Sequence, residues 1–154
     1  MTTHTSPSKL DSVTRYLSWD HDRLDGLLGE VTQRVEDGDL EQARSVFSAF
    51  DHGLRRHIRL EEELLFPLFE SRTGMRRGPT VVLRSEHRAI EVELAQMRDA
   101  LEVGDASAYA SGLSNIHGLL GPHNVKEEQV LYPVTDDLLR PEEQRELVDR
   151  LTHL

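Results

Sequence analysis

HIRLEEELLFP, from His57 to Pro67, is the stretch on which the fold and the site of this chain depend, and HNVKEEQVLYP, from His123 to Pro133, repeats its pattern. In each stretch a Glu follows the His by four residues, Glu61 in the first and Glu127 in the second. On an α-helix that step is a rotation of about 40° and a rise of about 6 Å, so both side chains point into the same space. An imidazole nitrogen and a carboxylate oxygen directed at one point are donors that divalent iron, zinc or manganese takes. Two such pairs in matching surroundings predict a metal site.

The two stretches belong to an internal repeat with a period of 66 residues (123 − 57 = 66). A shift by this period also matches positions outside the two stretches. The matched pairs are His21 and His87, Gly38 and Gly104, His57 and His123, Glu61 and Glu127, Glu62 and Glu128, and Pro67 and Pro133. Each half of the chain is therefore predicted to be one helical hairpin.

Inward-facing residues recur in steps of three and four along four segments, which is typical of helices packed in a bundle. They are Leu17, His21, Leu24, Leu28, Val31 and Val35; Phe47, Phe50, Leu54, His57, Glu61, Leu64 and Leu68; Leu83, His87, Ile90, Leu94, Met97 and Leu101; and Leu113, Ile116, Leu120, His123, Glu127, Val130 and Val134. We predict an all-α, up-down four-helix bundle made of two repeated hairpins. Pro67 is expected to kink or loosen the end of the second helix, and Gly121-Pro122 to kink the fourth.

The predicted organisation has three parts. Residues 1–8, which contain His4, form a flexible N-terminal tail, and residues 9–138 form the bundle. Residues 139–154 form a short C-terminal helix that starts near Pro141 and lies on the bundle or at a partner contact.

The spacing of the four histidines places them at one level of the bundle. Residues at equal distances from the turn of an antiparallel hairpin face each other. The midpoints of His21 and His57, of His57 and His87, and of His87 and His123 are positions 39, 72 and 105, all in or beside predicted turns. Glu61 and Glu127 lie one turn away. These six residues are the candidate ligands, because burying such groups as ordinary core residues without a cation would cost several kcal/mol per unpaired group.

Several other residues lie close in the sequence to the candidate ligands but are not counted among them. Asp25 and Glu91 follow a His by four residues, but the three-four rhythm turns them aside. Glu62 and Glu128 either accept a hydrogen bond from a ligand His or are solvated. His52 and His117 are expected to point elsewhere, and Trp19, Phe66 and Tyr132 are most simply core residues that could shield the site.

The composition excludes several classes of function. The chain has 154 residues and no Cys, which excludes disulfides and thiolate metal sites. Its net charge of −10 and the lack of a basic stripe argue against binding to nucleic acid or to an anionic membrane. No transmembrane stretch and no signal-like apolar segment is present, so a cytoplasmic protein is expected.

The motifs resemble those of hemerythrin-like proteins, the HHE cation-binding domain family, from about Tyr16 to Leu138. The resemblance rests on residues 20–24 (DHDRL), 57–67, 86–87 (EH) and 123–133. It implies a four-helix bundle with a di-iron centre, in which His21 and His57 would bind one iron, His87 and His123 the other, and Glu61 and Glu127 would bridge the two. The oxygen-carrying members have a further His where this chain has Glu91, and their last carboxylate is an Asp five residues after the His. These differences match the branch associated with sensing of iron, nitric oxide or oxygen.

Three functions follow as alternatives. The first is a protein with two iron ions that binds or senses O2, NO, peroxide or iron itself; zinc or manganese could substitute for the iron. The second is a di-iron enzyme that consumes peroxide or oxidises a small substrate, and the third is a helical interaction module with a structural metal. Imidazoles outnumber carboxylates among the ligands, which favours reversible binding over oxygen activation. The sequence does not decide whether the protein binds a protein partner or forms a homodimer.

Overall fold

The computed structural model describes residues 10–154, so the predicted tail and His4 lie outside the described residues. The helices are α1 (Val13–Glu36), α2 (Leu40–Leu60), α3 (Phe66–Thr73), α4 (Pro79–Glu102), α5 (Ala106–Lys126), α6 (Tyr132–Asp137) and α7 (Pro141–His153). A π turn, Glu61–Leu65, joins α2 to α3, and a second, Glu127–Leu131, joins α5 to α6. The closest helix pairs are the two hairpins, α1 with α2 and α4 with α5. The prediction of an all-α bundle with a short fifth helix is confirmed.

The two hairpins turn in the same way. Gly38 and Gly104 adopt positive φ angles of 77° and 71°, a conformation that glycine adopts without strain. The following residues, Asp39 and Asp105, begin the next helix, and each carboxylate accepts a hydrogen bond from a backbone N–H three residues later, at 3.2 and 2.9 Å. The repeat seen in the sequence is therefore a repeat of turn structure.

Two apolar clusters fill the bundle, one on each side of the histidine level. The upper core lies towards the hairpin turns and includes Leu24, Leu28, Val31, Phe47, Phe50, Leu94, Met97, Tyr109 and Ile116. The lower core includes Val13, Leu17, Leu65, Phe66, Phe69, Leu83, Leu131, Leu147, Val148 and Leu151. Along α1, His21 lies between Leu17 of the lower core and Leu24 of the upper core. The predicted ligands thus occupy a polar layer between two apolar layers.

Beyond each glutamate of the polar layer, the predicted inward positions are wrong by about one residue. Val130 and Val134 were expected inside but are 52% and 38% exposed. Leu64 and Leu68 are only partly buried. The residues buried instead are Leu65, Phe66 and Phe69 in the first half and Leu131, Tyr132 and Thr135 in the second.

The π turns are the reason for this shift. The N–H of Phe66 bonds to the carbonyl of Glu61, and that of Tyr132 to the carbonyl of Glu127, each five residues back. The wider turn contains an extra residue, so every later side chain rotates to a new face. Pro67 follows the first turn directly, and since proline has no N–H, a regular α-helical bond to Glu63 is unavailable there. The expected loosening near Pro67 is this turn.

Helix α5 continues through Gly121 and Pro122 to Lys126. A π turn follows from Glu127. The kink expected before His123 stays a prediction.

Two contacts close the lower end of the bundle. The carboxylate of Asp136 accepts hydrogen bonds from the backbone N–H groups of Val13 and Thr14, both at 2.9 Å, and so caps the start of α1. The guanidinium of Arg56 on α2 donates to the carbonyl of Leu151 at 2.8 Å, near the end of α7, whose apolar side belongs to the lower core.

Among residues 10–154 no helix is both long enough and apolar enough to cross a membrane.

Candidate metal centre

The structure brings the six predicted ligands together at the centre of the bundle. The rings of His21 and His57 lie 4.6 Å apart, and those of His87 and His123 lie 4.8 Å apart, measured between centroids. None of the four histidines is more than 4% exposed, and Glu61 and Glu127 are fully buried. Four imidazoles and two carboxylates therefore share one buried space from which bulk water is excluded.

Each histidine has a carboxylate on its outward ring nitrogen, Nδ1. The pairs are His21 with Glu128 at 2.6 Å, His57 with Asp20 at 2.8 Å, His87 with Glu62 at 2.7 Å and His123 with Glu86 at 2.8 Å. A carboxylate accepts the Nδ1 proton, which fixes the ring orientation and leaves the Nε2 lone pair free to bind a metal. All four Nε2 atoms consequently face the centre.

The sequence left Glu62 and Glu128 open between hydrogen bonding and solvation, and the structure places both on ligand histidines. The roles of Asp20 and Glu86 were not predicted from the sequence. A signal was available, because each directly precedes a ligand histidine and the 66-residue shift superposes them. Each reaches across its hairpin to the histidine of the paired helix and not to its own neighbour.

On the His87 side, the inward atoms fit a cation. Oε1 of Glu61, Nε2 of His87 and Oε2 of Glu127 are buried and have no hydrogen-bond partner among the described residues. Nε2 of His87 lies 3.1 Å from Oε1 of Glu61, yet the two atoms lack the alignment of a hydrogen bond. Buried polar atoms without partners are costly, and here one ion would satisfy them all. Ligand atoms of Glu61, His87, His123 and Glu127 lie within 4.8 Å of one another.

On the His21 side, a phenol fills the corresponding space. The hydroxyl of Tyr132 donates towards Oε2 of Glu61 at 2.6 Å and Oε1 of Glu127 at 3.0 Å. It also lies 3.2 Å from Nε2 of His57 and 3.3 Å from Nε2 of His21. Atoms of His21, His57 and Glu127 converge here as a second group that could hold an ion.

Tyr132 is a third residue whose role in the site the sequence did not predict. It follows Glu127 by five residues, which in an α-helix would turn it about 140° away. The π turn brings it back under the glutamate. Its counterpart in the repeat is Phe66, whose ring stacks on His87 at 5.6 Å with 10° between the planes. The two halves of the centre therefore differ by one hydroxyl group.

The ionisation of the centre follows from its burial and its carboxylates. Burial disfavours charge on His57, but the Glu61 charge and the bond to Asp20 raise its pKa well above the usual value. His123 has its pKa raised to about 9 in the same way, chiefly by Glu127 acting against burial. Burial opposes the Glu61 charge too, yet the nearby imidazoles hold its pKa well below the ordinary range. Burial and the two carboxylates raise the pKa of Tyr132 far above normal, so the phenol is neutral near pH 7.

The remaining candidates lie outside the centre. Glu91 forms ion pairs with Arg88 at 2.8 Å and with Arg55 at 3.9 Å, and Asp25 is exposed. His52 and His117 are also exposed. Phe66 belongs to the core, as expected.

Comparison with known proteins identifies the family. The family model of the hemerythrin HHE cation binding domain matches residues 12–135, which is most of the chain and includes all six predicted ligands. Neither the curated proteins nor the solved structures gave a significant match. On the strength of the family match, this chain belongs to the hemerythrin HHE cation-binding domain family.

Proposed function

We propose that this protein binds two iron ions between its hairpins and uses them to bind or sense a small ligand such as O2, NO or peroxide. The observation that carries the proposal is the combination of four outward Nδ1 contacts with buried inward atoms that lack partners among residues 10–154. The outer carboxylates orient the donors, and a bound cation would satisfy the unpartnered atoms.

His87 and His123 would hold one ion with oxygens of Glu61 and Glu127. His21 and His57 would hold the other with the remaining carboxylate oxygens, beside the hydroxyl of Tyr132. The assignment is supported by the two convergent groups, which share Glu127. Imidazole and carboxylate donors suit iron, and zinc or manganese would be accepted as substitutes.

Two bound iron ions would supply redox chemistry and open coordination positions for a small ligand. The protein's residues contribute the rest. The upper and lower cores exclude bulk water from the polar layer, and the carboxylates of Asp20, Glu62, Glu86 and Glu128 hold the imidazoles in orientation. The hydroxyl oxygen of Tyr132 lies within 3.0 Å of one oxygen of each central carboxylate. The four imidazoles against two central carboxylates favour reversible binding.

An enzyme that consumes peroxide is a second candidate, and Tyr132 is the observation that favours it. A phenol that keeps its proton is a hydrogen-bond donor inside a site otherwise closed to water. Such a donor can stabilise the negative charge that develops when the O–O bond of a peroxide breaks.

Metal analysis tests the centre. We expect iron-reconstituted protein to contain about two ions per chain, and His57→Ala to lose most of this metal. His52→Ala is the matched control, because His52 lies on the same helix but is exposed. One ion or none in the wild-type protein, or equal metal loss in both variants, would contradict the proposal.

Peroxide distinguishes the two candidate functions. A binding or sensing protein should change its absorption spectrum after about one equivalent of peroxide and then stop. An enzyme should consume a many-fold excess while its spectrum returns to the start. Sustained turnover would favour the second candidate over the first.

A further inference from the structure

The two sides of the centre differ in how their inward atoms are satisfied in the metal-free protein. On the His87 side, three buried atoms have no hydrogen-bond partner among residues 10–154: Oε1 of Glu61, Nε2 of His87 and Oε2 of Glu127. On the His21 side, the inward atoms are all in contact with one hydroxyl group. A cation can therefore bind on the first side without displacing any group, whereas the second side already has an occupant.

The occupant is the hydroxyl of Tyr132, which lies where four metal-binding atoms converge. Its oxygen is 2.6 Å from Oε2 of Glu61, 3.0 Å from Oε1 of Glu127, 3.2 Å from Nε2 of His57 and 3.3 Å from Nε2 of His21. A cation on this side would need the same atoms, because His21, His57 and Glu127 form the second group that could hold an ion. The hydroxyl and the cation compete for one set of donors.

The packing of Tyr132 keeps its hydroxyl in the polar layer. The side chain is fully buried, and its ring belongs to the lower core, so the hydroxyl cannot turn out to water. Hydrogen bonds to charged groups such as carboxylates are stronger than those between neutral groups. A cation that enters on the His21 side has to break these contacts, and its affinity is reduced by the free energy that they contributed.

The internal repeat provides the comparison that isolates this hydroxyl. Phe66 is the counterpart of Tyr132, and His87 is the counterpart of His21. The ring centroid of Phe66 lies 5.6 Å from that of His87, and the ring centroid of Tyr132 lies 5.8 Å from that of His21. The two aromatic rings thus have equivalent places on opposite sides of the centre. Among these paired residues the chemical difference is the hydroxyl group alone.

We propose that the two metal positions fill in a fixed order, with the first cation on the His87 side, and that Tyr132 lowers the affinity of the His21 side for the second. This inference rests on the proposed metal centre. The cation is a divalent transition metal of the kind that imidazole and carboxylate donors accept. Repulsion between two cations weakens the second binding step whichever side fills first, so it does not determine the order. Tyr132 determines it.

Titration of the metal-free full-length protein with Co²⁺ tests the effect of the hydroxyl. The cobalt absorption bands report each binding step without catalytic turnover, and metal analysis gives the number of ions bound. Tyr132→Phe should tighten the second step by about tenfold and change the first much less. Tyr109→Phe is the control, because it removes a buried hydroxyl from the upper core and should leave both steps unchanged. A second step that is equally tight in the wild-type protein and in Tyr132→Phe would overturn the inference.

Phe66→Tyr gives the complementary change, since it adds a hydroxyl on the His87 side. We expect it to weaken the first step by about tenfold, because the new hydroxyl would contact the atoms that now lack partners. The exchanged variant Phe66→Tyr/Tyr132→Phe contains the same side chains as the wild-type protein in reversed places. It should still bind two ions, but the His21 side should fill first. An exchanged variant that keeps the wild-type order would overturn the role of Tyr132.

Removal of one ligand from each side identifies the side that fills first. In the wild-type background His123→Ala should lose the tighter step, whereas His21→Ala should lose only the weaker one; in the exchanged variant this pattern should reverse. Loss of the tighter step in His21→Ala of the wild-type background would overturn the order. A wild-type protein that binds no cobalt would overturn the metal centre itself. Two bound ions whose affinities respond to neither aromatic substitution would overturn this inference alone.

Discussion

A histidine side chain has two ring nitrogens, and in this protein the contact of one nitrogen determines what the other can do. At each of the four ligand positions a carboxylate holds Nδ1, so Nε2 is the atom presented to the centre. Three of the four carboxylates are themselves neutralised by a Lys or Arg. The orientation of each predicted ligand is therefore set by the carboxylate in contact with it, and at three positions a cation holds that carboxylate in turn.

Tyr132 is the residue at which a single atom has the largest expected effect. Tyr132→Phe keeps the ring but leaves Oε2 of Glu61 and Oε1 of Glu127 without their hydroxyl donor. Since both oxygens are buried, we expect the metal-free protein to lose about 1–3 kcal/mol of stability. Urea unfolding in the presence of a chelator measures the loss.

Tyr109→Phe is the control for this change, because the Tyr109 hydroxyl contacts the half-buried hydroxyl of Thr32, at 3.0 Å, and no buried carboxylate among residues 10–154. We expect a smaller loss, about 0.5–1.5 kcal/mol. A loss for Tyr132→Phe no greater than that for Tyr109→Phe would show that the hydroxyl does not support the central carboxylates.

Among the elements, the two π turns have the most specific effect. Each begins at a central glutamate and ends just before an aromatic residue and a proline. The extra residue lets the glutamate face the centre while Leu65 and Phe66, or Leu131 and Tyr132, also point inward. In a regular α-helix, only one residue of each pair could point inward together with the glutamate.

Helix α1 provides a prediction at the same scale. Asp136→Ala removes the carboxylate that accepts the N–H groups of Val13 and Thr14 and the Thr14 hydroxyl at 2.6 Å. Loss of a helix cap of this kind should lower the free energy of unfolding by about 1–2 kcal/mol. Asp137→Ala is the neighbouring control, because Asp137 is exposed, and it should change stability by less than about 0.5 kcal/mol. Chemical denaturation compares the two, and similar losses would argue against the cap.

At the scale of the whole molecule, protons and metal ions compete for one buried centre. In the metal-free protein the pKa values of His21, His57 and His123 are all raised, that of His123 to about 9. A group whose pKa is raised by folding stabilises the protein below its unfolded pKa and loses that contribution as pH rises through the folded value. Metal binding needs the deprotonated imidazoles and so has the opposite dependence on pH.

We therefore expect the metal-free protein to become less stable between about pH 6.5 and pH 9, while its affinity for cobalt or iron increases over the same interval. Thermal or urea unfolding with a chelator measures the first trend, and competition with a metal indicator measures the second. The metal-loaded protein serves as the control, because its coordinated imidazoles cannot take up the proton. A metal-free stability that is constant or increases with pH would contradict the prediction.

Sequence periodicity was sufficient to predict the helical hairpins, their turns and the shared level of the four histidines, because these depend on regular spacing. The His-to-Glu step of four residues, the 66-residue repeat and the Gly38 and Gly104 turns are all local or additive features. They needed no knowledge of how the helices pack. The assignment of Glu61 and Glu127 as inward residues has the same basis.

What only the tertiary structure decided lies beyond the π turns and across the helix interfaces. The extra residue in each turn rotated Tyr132 into the centre and Val130 and Val134 out, which a count of 3.6 residues per turn cannot anticipate. The contacts of Asp20 with His57 and of Glu86 with His123 join different helices, so they depend on how the hairpin partners pack. The ion pair of Arg88 with Glu62 has the same origin, since it forms only because α4 packs beside α2.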